Sequence, residues 1–422
     1  MGIYNTGIYA FQTLLRLAAP FNPKARLWIE GRRNWTTLLA NKLAGNRAPI
    51  VWFHAASLGE FEQGRPVIEA FRKQYPDYKI LLTFFSPSGY EVRKSYGGAD
   101  YVMYLPADTS ANARQFVRLV NPKMAFFIKY EFWYNYLHEL KAANVPIISF
   151  SAIFRPSQLF FKSYVGPASR FYRAMLYQFD HILVQNQESV DLLKKIGISN
   201  VTRAGDTRFD RVAQVAAAKQ NIPLAAAFKN GQPLLVIGSA WPEDMNVLIP
   251  FLNAFNLPLK TIIAPHEIHD DEIERWRTQL TKPSARFSQI TETEVRNAEL
   301  LFIDNIGMLS SIYQYGEFAY IGGAFKQGLH NILEAATFGM PLFFGPEYRK
   351  FQEAVDLVNE RAAFSVSNVA ELKTSFASQY ADSWEAARIS RAYIQRNIGA
   401  TAQVMNVVKQ LMGERVRERK SE

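Results

Sequence analysis

The chain has 422 residues, 48% of them apolar and 20% charged, which describes a folded globular protein with room for two domains and excludes a disordered one. Its 48 Lys and Arg against 38 Asp and Glu leave a net charge of +10, suited to anionic lipid, a phosphorylated substrate or nucleic acid; nothing resembles a nucleic-acid module, so nucleic acid ranks last. Zero cysteines exclude disulfides, thiolate nucleophiles and Cys-ligated zinc, so the chemistry must rest on carboxylates, imidazoles, hydroxyls and cations.

The first predicted element is the apolar run Ile3 to Phe21, interrupted by Asn5, Gln12 and Arg16. It is marginally long enough to span a bilayer, and Arg16 makes a span costly, so 1–21 is expected as a membrane anchor or an interfacial helix. A buried N-terminal helix is the alternative. Lys24, Arg26, Arg32 and Arg33 follow, which puts the body of the protein on the cytoplasmic side.

From Pro49 to Gly205 short apolar runs alternate with amphipathic stretches: Ile50 to His54, Ile80 to Phe85, Tyr101 to Leu105, Met124 to Ile128, Pro146 to Phe150 and His181 to Val184. That is the rhythm of a parallel sheet, and it predicts a Rossmann-like domain over 22–210. A polar, alanine-rich stretch, 211–231, reads as a linker. The rhythm restarts at Leu234 to Gly238, Thr261 to Ala264, Leu300 to Ile303, Phe318 to Ile321 and Leu342 to Phe344, predicting a second Rossmann-like domain over 232–383. Helices are predicted at Glu371 to Tyr380 and Trp384 to Leu411, followed by a charged tail, Glu414 to Glu422.

Candidate chemistry gathers at the strand ends. After the run ending at His54, Ser57 and Gly59 shape a tight loop and Glu60 opens the next helix, where a carboxylate can take a proton from an attacking hydroxyl. Capping of that helix is the plainer reading of Glu60. Ser86 and Ser88 occupy a second such loop, as phosphate contacts or as a helix cap. Glu131 follows the Met124 to Ile128 strand, placed to touch a bound acceptor or to hold the Glu60 loop, with Phe132 and Trp133 read as packing. Arg155 is a candidate phosphate contact; Arg208 is one for phosphate or carboxylate, or else a salt bridge to Asp206 or Asp210.

In the second half Ser239 lies in the first strand-to-helix turn and His266 after the next strand. His266 and His269 are spaced by three, but no third ligand has an evident place, so a metal pair is set below contact of His266 with a bound ligand. Phe318 to Pro346 reads as strand, a turn at Gly322 and Gly323, a helix over Asn331 to Phe338, and a strand. The turn's backbone N–H groups and the helix start suit phosphate, with His330 and Asn331 at that start and Glu334 one turn on; a purely structural Gly-Gly turn is the alternative.

This last stretch resembles the C-terminal signature of GT-B glycosyltransferases and, more narrowly, that of the Kdo transferases, which move 3-deoxy-D-manno-octulosonic acid (Kdo) from CMP-Kdo onto lipid A precursors. Gly322-Gly-Ala-Phe325 and Gly328-Leu-His-Asn-Ile-Leu-Glu-Ala-Ala336 stand where the family has Gly-Gly-Ser-Phe and Gly-Gly-His-Asn-Pro-Leu-Glu-Pro-Ala. His54 to Glu60 resembles His-Ala-Ser-Ser-Val-Gly-Glu, whose glutamate is the proposed base. Lys129 to Asn135 resembles Glu-Thr-Glu-Leu-Trp-Pro-Asn, with Lys129 in place of the first glutamate, and Ser151 to Arg155 resembles Asn-Ala-Arg-Leu-Ser in part. Gly238 to Glu243 is similar to Gly-Ser-Thr-His-Glu-Gly-Glu. Asp304 to Leu309 is similar to Asp-Thr-Met-Gly-Glu-Leu, with Met308 replacing the acid and Ile306 and Gly307 left as a backbone platform for cytosine. Asn397-Ile-Gly-Ala matches the family's closing Asn-x-Gly-Ala.

The resemblance implies an α/β GT-B fold: two Rossmann-like domains facing each other across a cleft, an N-terminal membrane-anchoring helix, and a C-terminal segment, 384–422, crossing back to the first domain. It implies an inverting, metal-independent glycosyltransferase carrying Kdo from CMP-Kdo to the lipid A precursor (lipid IVA) in lipopolysaccharide biosynthesis. Glu60 would be the base, with Ser57, Gly59, Ser86, Ser88, Glu131 and Arg155 on the acceptor. Arg208, Ser239, His266, Ile306, Gly307, Gly322, Gly323, His330, Asn331 and Glu334 would meet the donor. No cofactor and no metal are expected; the expected partners are CMP-Kdo, the lipid A precursor and the cytoplasmic face of the inner membrane, where the protein would reside. A GT-B-like sugar-nucleotide epimerase and a non-catalytic lipid-binding protein on the same fold are the rival readings.

Overall fold

The computed structural model describes residues 2–162, 166–218 and 220–421, with side chains described as far as Gly413. The charged side chains expected in the tail from Glu414 lie outside the described residues. The chain divides into two units, one built from the residues up to Arg211 together with those from Ile398 onward, the other from Val212–Asn397.

In the first unit three helices, Gly2–Ala18, Pro23–Glu30 and Trp35–Leu43, precede a seven-stranded sheet. Its strands are β1 (Ile50–Ala55), β2 (Lys79–Phe84), β3 (Tyr101–Tyr104), β4 (Met124–Ile128), β5 (Ile147–Ala152), β6 (His181–Val184) and β7 (Val201–Arg203), in the order β3-β2-β1-β4-β5-β6-β7. Every described pairing is parallel. Because helices cover both faces, alternate residues of β1 enter different cores. Trp52 packs with Phe116, Phe127 and Tyr136 on one side. Phe53 stacks on Phe126 at 4.2 Å on the other, where Val404 and Val408 of the last helix complete the layer.

The second unit repeats the plan with β8 (Leu234–Ala240), β9 (Lys260–Pro265), β10 (Ser284–Arg286), β11 (Leu300–Phe302), β12 (Phe318–Ile321), β13 (Leu342–Phe344) and β14 (Ala363–Ser365), ordered β10-β11-β9-β8-β12-β13-β14. In each unit the first strand lies inside the sheet, between β2 and β4 or between β9 and β12, so the order reverses beside it. The carboxyl ends of strands at such a reversal are where open α/β sheets present ligand-binding loops.

Four stretches take a form that the sequence expectation left open or drew differently. Among the described residues no helix is long and apolar enough to cross a membrane. The N-terminal helix has 17 residues, about 25 Å of rise against a hydrocarbon core of about 30 Å. It is docked on the first unit by polar groups near its start: the Tyr4 hydroxyl donates to Asp108 at 2.6 Å, and Asn5 accepts from Asn135 at 2.9 Å. The stretch 211–231 is largely helical, holding the end of Thr207–Ala217 and the whole of Pro223–Lys229.

The expected helix over Trp384 to Leu411 is two helices, Trp384–Asn397 and Ala400–Ser421, and only the second returns to the first unit. Gly399 breaks them at φ +119°, and Asp210 takes both its N–H (2.6 Å) and that of Thr401 (2.7 Å) as an N-cap from a distant stretch of chain. The expected helix over Asn331 to Phe338 shrinks to one turn, Leu333–Ala336, because the Asn331 side chain caps Leu333 N–H and Gly339 turns the chain away at φ +71°.

Candidate functional site

In the first unit the loop after β1 runs directly into the helix Leu58–Gln74, with Ser57 extended at its N-cap. The Ser57 hydroxyl donates to one Glu60 carboxylate oxygen, and Lys129 Nζ lies 3.7 Å from the other. Glu60 is therefore fixed at both oxygens, yet 19% of its side chain remains exposed, enough to meet an incoming hydroxyl. Lys129 reaches it from the end of β4 with a left-handed backbone, φ +69°, a conformation that costs a non-glycine residue energy.

Glu131 is engaged elsewhere. Its Oε2 accepts from the Trp133 indole at 2.7 Å and lies 3.2 Å from Nε2 of the fully buried His54. His54 Nδ1 meets the Thr83 hydroxyl at 2.8 Å, which also accepts from Trp52 Nε1 at 2.8 Å. Trp133 stacks on Phe85 at 4.8 Å. Glu131 thus pins the loop after β4 to β1 and β2. His54 and the indole donor of Trp133 escaped the sequence reading, which took Trp133 for packing alone.

The Ser86 loop adjoins that of Glu60: Ser86 N–H donates to Ala56 O at 2.7 Å, and Ser86 Oγ caps the next helix by accepting from Ser88 N–H at 3.3 Å. The steric hinge is Gly89, where a Cβ would meet the Ser57 carbonyl carbon at 3.0 Å and the Phe84 ring at 2.4 Å. Gly59, expected to shape the loop, lies in the first turn of the helix, and a Cβ there would meet nothing nearer than Ser57 Oγ at 3.8 Å.

Arg155 is exposed and hydrogen-bonds the Tyr130 phenol; burial raises that phenol against the pull of Arg155. Arg208 belongs to the first unit and holds Asp206 through Nε at 2.8 Å, the salt-bridge reading of this residue. Burial alone would raise the Asp206 carboxyl, but Arg208 and Gln63 keep it below its ordinary value.

In the second unit the ends of β8, β9 and β12 bring together Ser239, Trp241, His266, Gly322, Gly323 and His330. Three rings form a stack: Trp241 lies 4.4 Å from His266, and His266 lies 4.3 Å from His330. The Trp241 indole donates to His330 Nε2 at 2.9 Å. An indole N–H is donor only, so Nε2 is unprotonated and the neutral ring carries its proton on Nδ1. Burial, reinforced by His266, lowers His330 to about 4, and burial lowers His266 as well. At neutral pH His330 is a neutral hydrogen-bond donor and not a cation. Sequence alone assigns Trp241 no role; its position two residues after Ser239 is the available signal.

The glycine turn acts differently from the expectation of free N–H groups. Gly322 N–H donates to Gly238 O and Gly323 N–H to Asp244 Oδ2, both at 2.9 Å. What the glycines supply is room: a Cβ on Gly322 would meet Ser239 O at 2.1 Å, and one on Gly323, at φ +94°, would meet the His330 ring at 2.9 Å. Asp244, raised by burial, also caps its own helix by accepting from Trp241 N–H at 3.0 Å.

Asn331 donates to Glu334 at 3.1 Å. Ile306, 92% exposed, and Gly307 stand on the loop after β11, and neither has a described hydrogen bond to the ring stack. His269 lies against Glu267 at 3.2 Å, and among the described residues no group of three His, Asp or Glu could hold a metal ion.

Residues 30–211 match the model of the 3-deoxy-D-manno-octulosonic-acid transferase (kdotransferase) family. A 3-deoxy-D-manno-octulosonic acid transferase of Rickettsia felis is 27% identical over 332 residues, covering 77% of this chain and 70% of that protein. One of Aquifex aeolicus is 26% identical over 330 residues, covering 77% and 84%. Among solved structures, a putative UDP-N-acetylglucosamine 2-epimerase from Listeria monocytogenes superposes with a TM-score of 0.58 at 10% identity, covering 87% of this chain and 97% of that one. MurG of Acinetobacter baumannii gives 0.54 at 10% identity, covering 86% and 99%. These superpositions establish the two-Rossmann fold alone.

Proposed function

We propose that this chain, which belongs to the 3-deoxy-D-manno-octulosonic acid (Kdo) transferase family, moves Kdo from CMP-Kdo to a hydroxyl of a lipid A precursor in lipopolysaccharide biosynthesis. The observation that carries the mechanism is Glu60, held by Ser57 and Lys129 at the carboxyl edge of the first sheet with its side chain still accessible. The acceptor hydroxyl attacks the anomeric carbon of Kdo and gives its proton to Glu60 as the new C–O bond forms. The bond from that carbon to the CMP phosphate breaks with inversion, and CMP leaves with the electron pair. A positioned carboxylate base contributes about 10²–10⁴-fold to such a step.

In this reading the second unit holds CMP-Kdo. His330 offers Nδ1–H to the donor, and the flat stack of Trp241 and His266 suits a base or a sugar edge. The protein works on the cytoplasmic face of the inner membrane, supported by its net charge of +10 and by the exposed Ile3, Leu14 and Leu17 of its first helix.

The test is mass spectrometry of a lipid A precursor incubated with CMP-Kdo and the full chain, beside Glu60→Gln. A mass gain of one or more Kdo units, reduced about 10²-fold or more in a variant with an unchanged thermal midpoint, is expected. Unimpaired transfer by Glu60→Gln removes the base from the mechanism. Absence of transfer by a folded wild type removes the acceptor assignment.

A further inference from the structure

A cavity of about 700 Å³ lies in the first unit where the first three helices meet Ala107 and Asn112, in the stretch that follows β3, and Arg16, Arg26, Arg32 and Arg33 line it. Glu30 is the one acidic residue of its described lining. Four guanidiniums at one cavity repel one another, and such a cluster is stable only where counter-charge arrives or water screens it. Arg16, Arg26 and Arg33 are exposed, and none has a described carboxylate partner. Arg32 is the informative one. Its guanidinium donates to Leu105 O at 2.7 Å, to Phe85 O at 2.7 Å and to Trp28 O at 3.0 Å, and it lies 3.8 Å from the Trp28 ring. All three acceptors are carbonyls, so a positive charge has been drawn into the protein with dipoles and an aromatic face around it but no anion. Trp28, 5% exposed and also lining the cavity, keeps an indole N–H with no hydrogen-bond partner.

The first helix gives the cavity a direction. Gln12, Arg16 and Ala19 line it, whereas Ile3, Leu14 and Leu17, 93%, 64% and 68% exposed, fall about half a turn away at 100° per residue, on the opposite flank. An amphipathic helix of this kind sits with its apolar flank in the acyl boundary of a bilayer. The cavity then lies about one helix diameter, roughly 10 Å, farther out, at the depth of lipid phosphates.

We propose that this cavity is a phosphate-binding site whose ligand is the headgroup of an anionic lipid. Guanidiniums match phosphate oxygens in paired hydrogen bonds, and the half-buried charge of Arg32 gains the anion it lacks. The site goes beyond the transfer reaction and does not depend on it, because its readout needs neither donor nor acceptor.

The experiment is co-sedimentation of the full chain with vesicles of phosphatidylcholine alone and with phosphatidic acid added, together with thermal shift in millimolar inorganic phosphate. The variant Arg16→Gln/Arg26→Gln/Arg33→Gln is set against Lys73→Gln/Arg118→Gln/Lys194→Gln, which removes the same charge from other positions of the first unit. The expected result is at least a tenfold preference of the wild type and the control variant for phosphatidic acid, lost in the arginine variant. Thermal stabilisation by inorganic phosphate that the arginine variant loses, without any vesicle preference, upholds the phosphate site and overturns its lipid source. Equal losses in both variants reduce the effect to general charge and overturn the site, as does an arginine variant that behaves as wild type.

Discussion

The indole nitrogen of Trp241 and Nε2 of His330, 89 residues apart in sequence, are joined by a 2.9 Å hydrogen bond that leaves the imidazole proton on Nδ1. Trp241→Phe keeps the ring stack and removes the donor, so the proton is free to sit on either nitrogen and protonation at Nε2 is no longer opposed. In ¹⁵N-correlated NMR the His330 pair should move from a pure Nδ1–H pattern to a mixture. Burial and His266, which together lower the ring to about 4, both remain in this variant, so the ring should stay neutral at pH 7. An unchanged tautomer pattern would show that Trp241 does not set it.

Lys129 combines two effects that a pair of variants separates. Lys129→Ala and Lys129→Gly both remove the ammonium from Glu60, but only glycine relieves the left-handed backbone at φ +69°. The glycine variant should be the more stable of the two by about 1 kcal/mol, read from denaturant midpoints. Both should lose transfer activity to the same extent if the ammonium's position beside Glu60 is what matters; a difference in activity would implicate the backbone instead.

Asp210 caps the last helix through Gly399 and Thr401. Asp210→Ala should cost about 1–2 kcal/mol and increase cleavage by added protease near residue 399, with Asp210→Asn falling between. Equal protease resistance in all three proteins would show the cap to be dispensable.

Burial raises Asp108 to about 6 even though Tyr4, Asn135 and Tyr136 all donate to it. A carboxyl raised in the folded state holds its proton more tightly there than in the unfolded chain. Its contribution to stability is therefore fully present below about pH 4 and is lost as pH rises through about 6. Asp108→Asn does not titrate. The stability of wild type relative to this variant should fall by about 2 kcal/mol between pH 4 and pH 7, measured by urea denaturation at each pH. A constant difference would mean that Asp108 ionises without penalty.

Much of the sheet architecture was legible because its central strands are continuous apolar runs of about five residues, as in β4 and β12, where the expected and observed bounds coincide. Strand β7, three residues with Arg203 exposed, and the edge strands β10 and β14 carry too little apolar sequence to announce themselves. Local sequence also could not reveal the break at Gly399, since the residue that enforces it, Asp210, lies 189 positions earlier. At the site, Glu60 and His330 were legible from motifs, whereas Trp241 and His54 act through partners 89 and 77 residues away that only the folded chain brings near. The glycine pair was found, but its purpose was misread: close packing against Ser239 and His330 leaves those two N–H groups already bonded.

The second unit is a single uninterrupted stretch, while the first is completed by residues that come after it. On the ribosome, Phe53 and Phe126 emerge long before Val404 and Val408, the helix residues that finally cover their layer. The nascent first unit must therefore wait, with one greasy face of its sheet incompletely covered, while all 186 residues of its neighbour are translated. At about 5–20 residues per second that wait lasts roughly ten to forty seconds. Such an interval is ample for a chaperone to engage, and it makes the first unit depend on helix residues, Val404 and Val408, that are synthesised only after the whole of its neighbour.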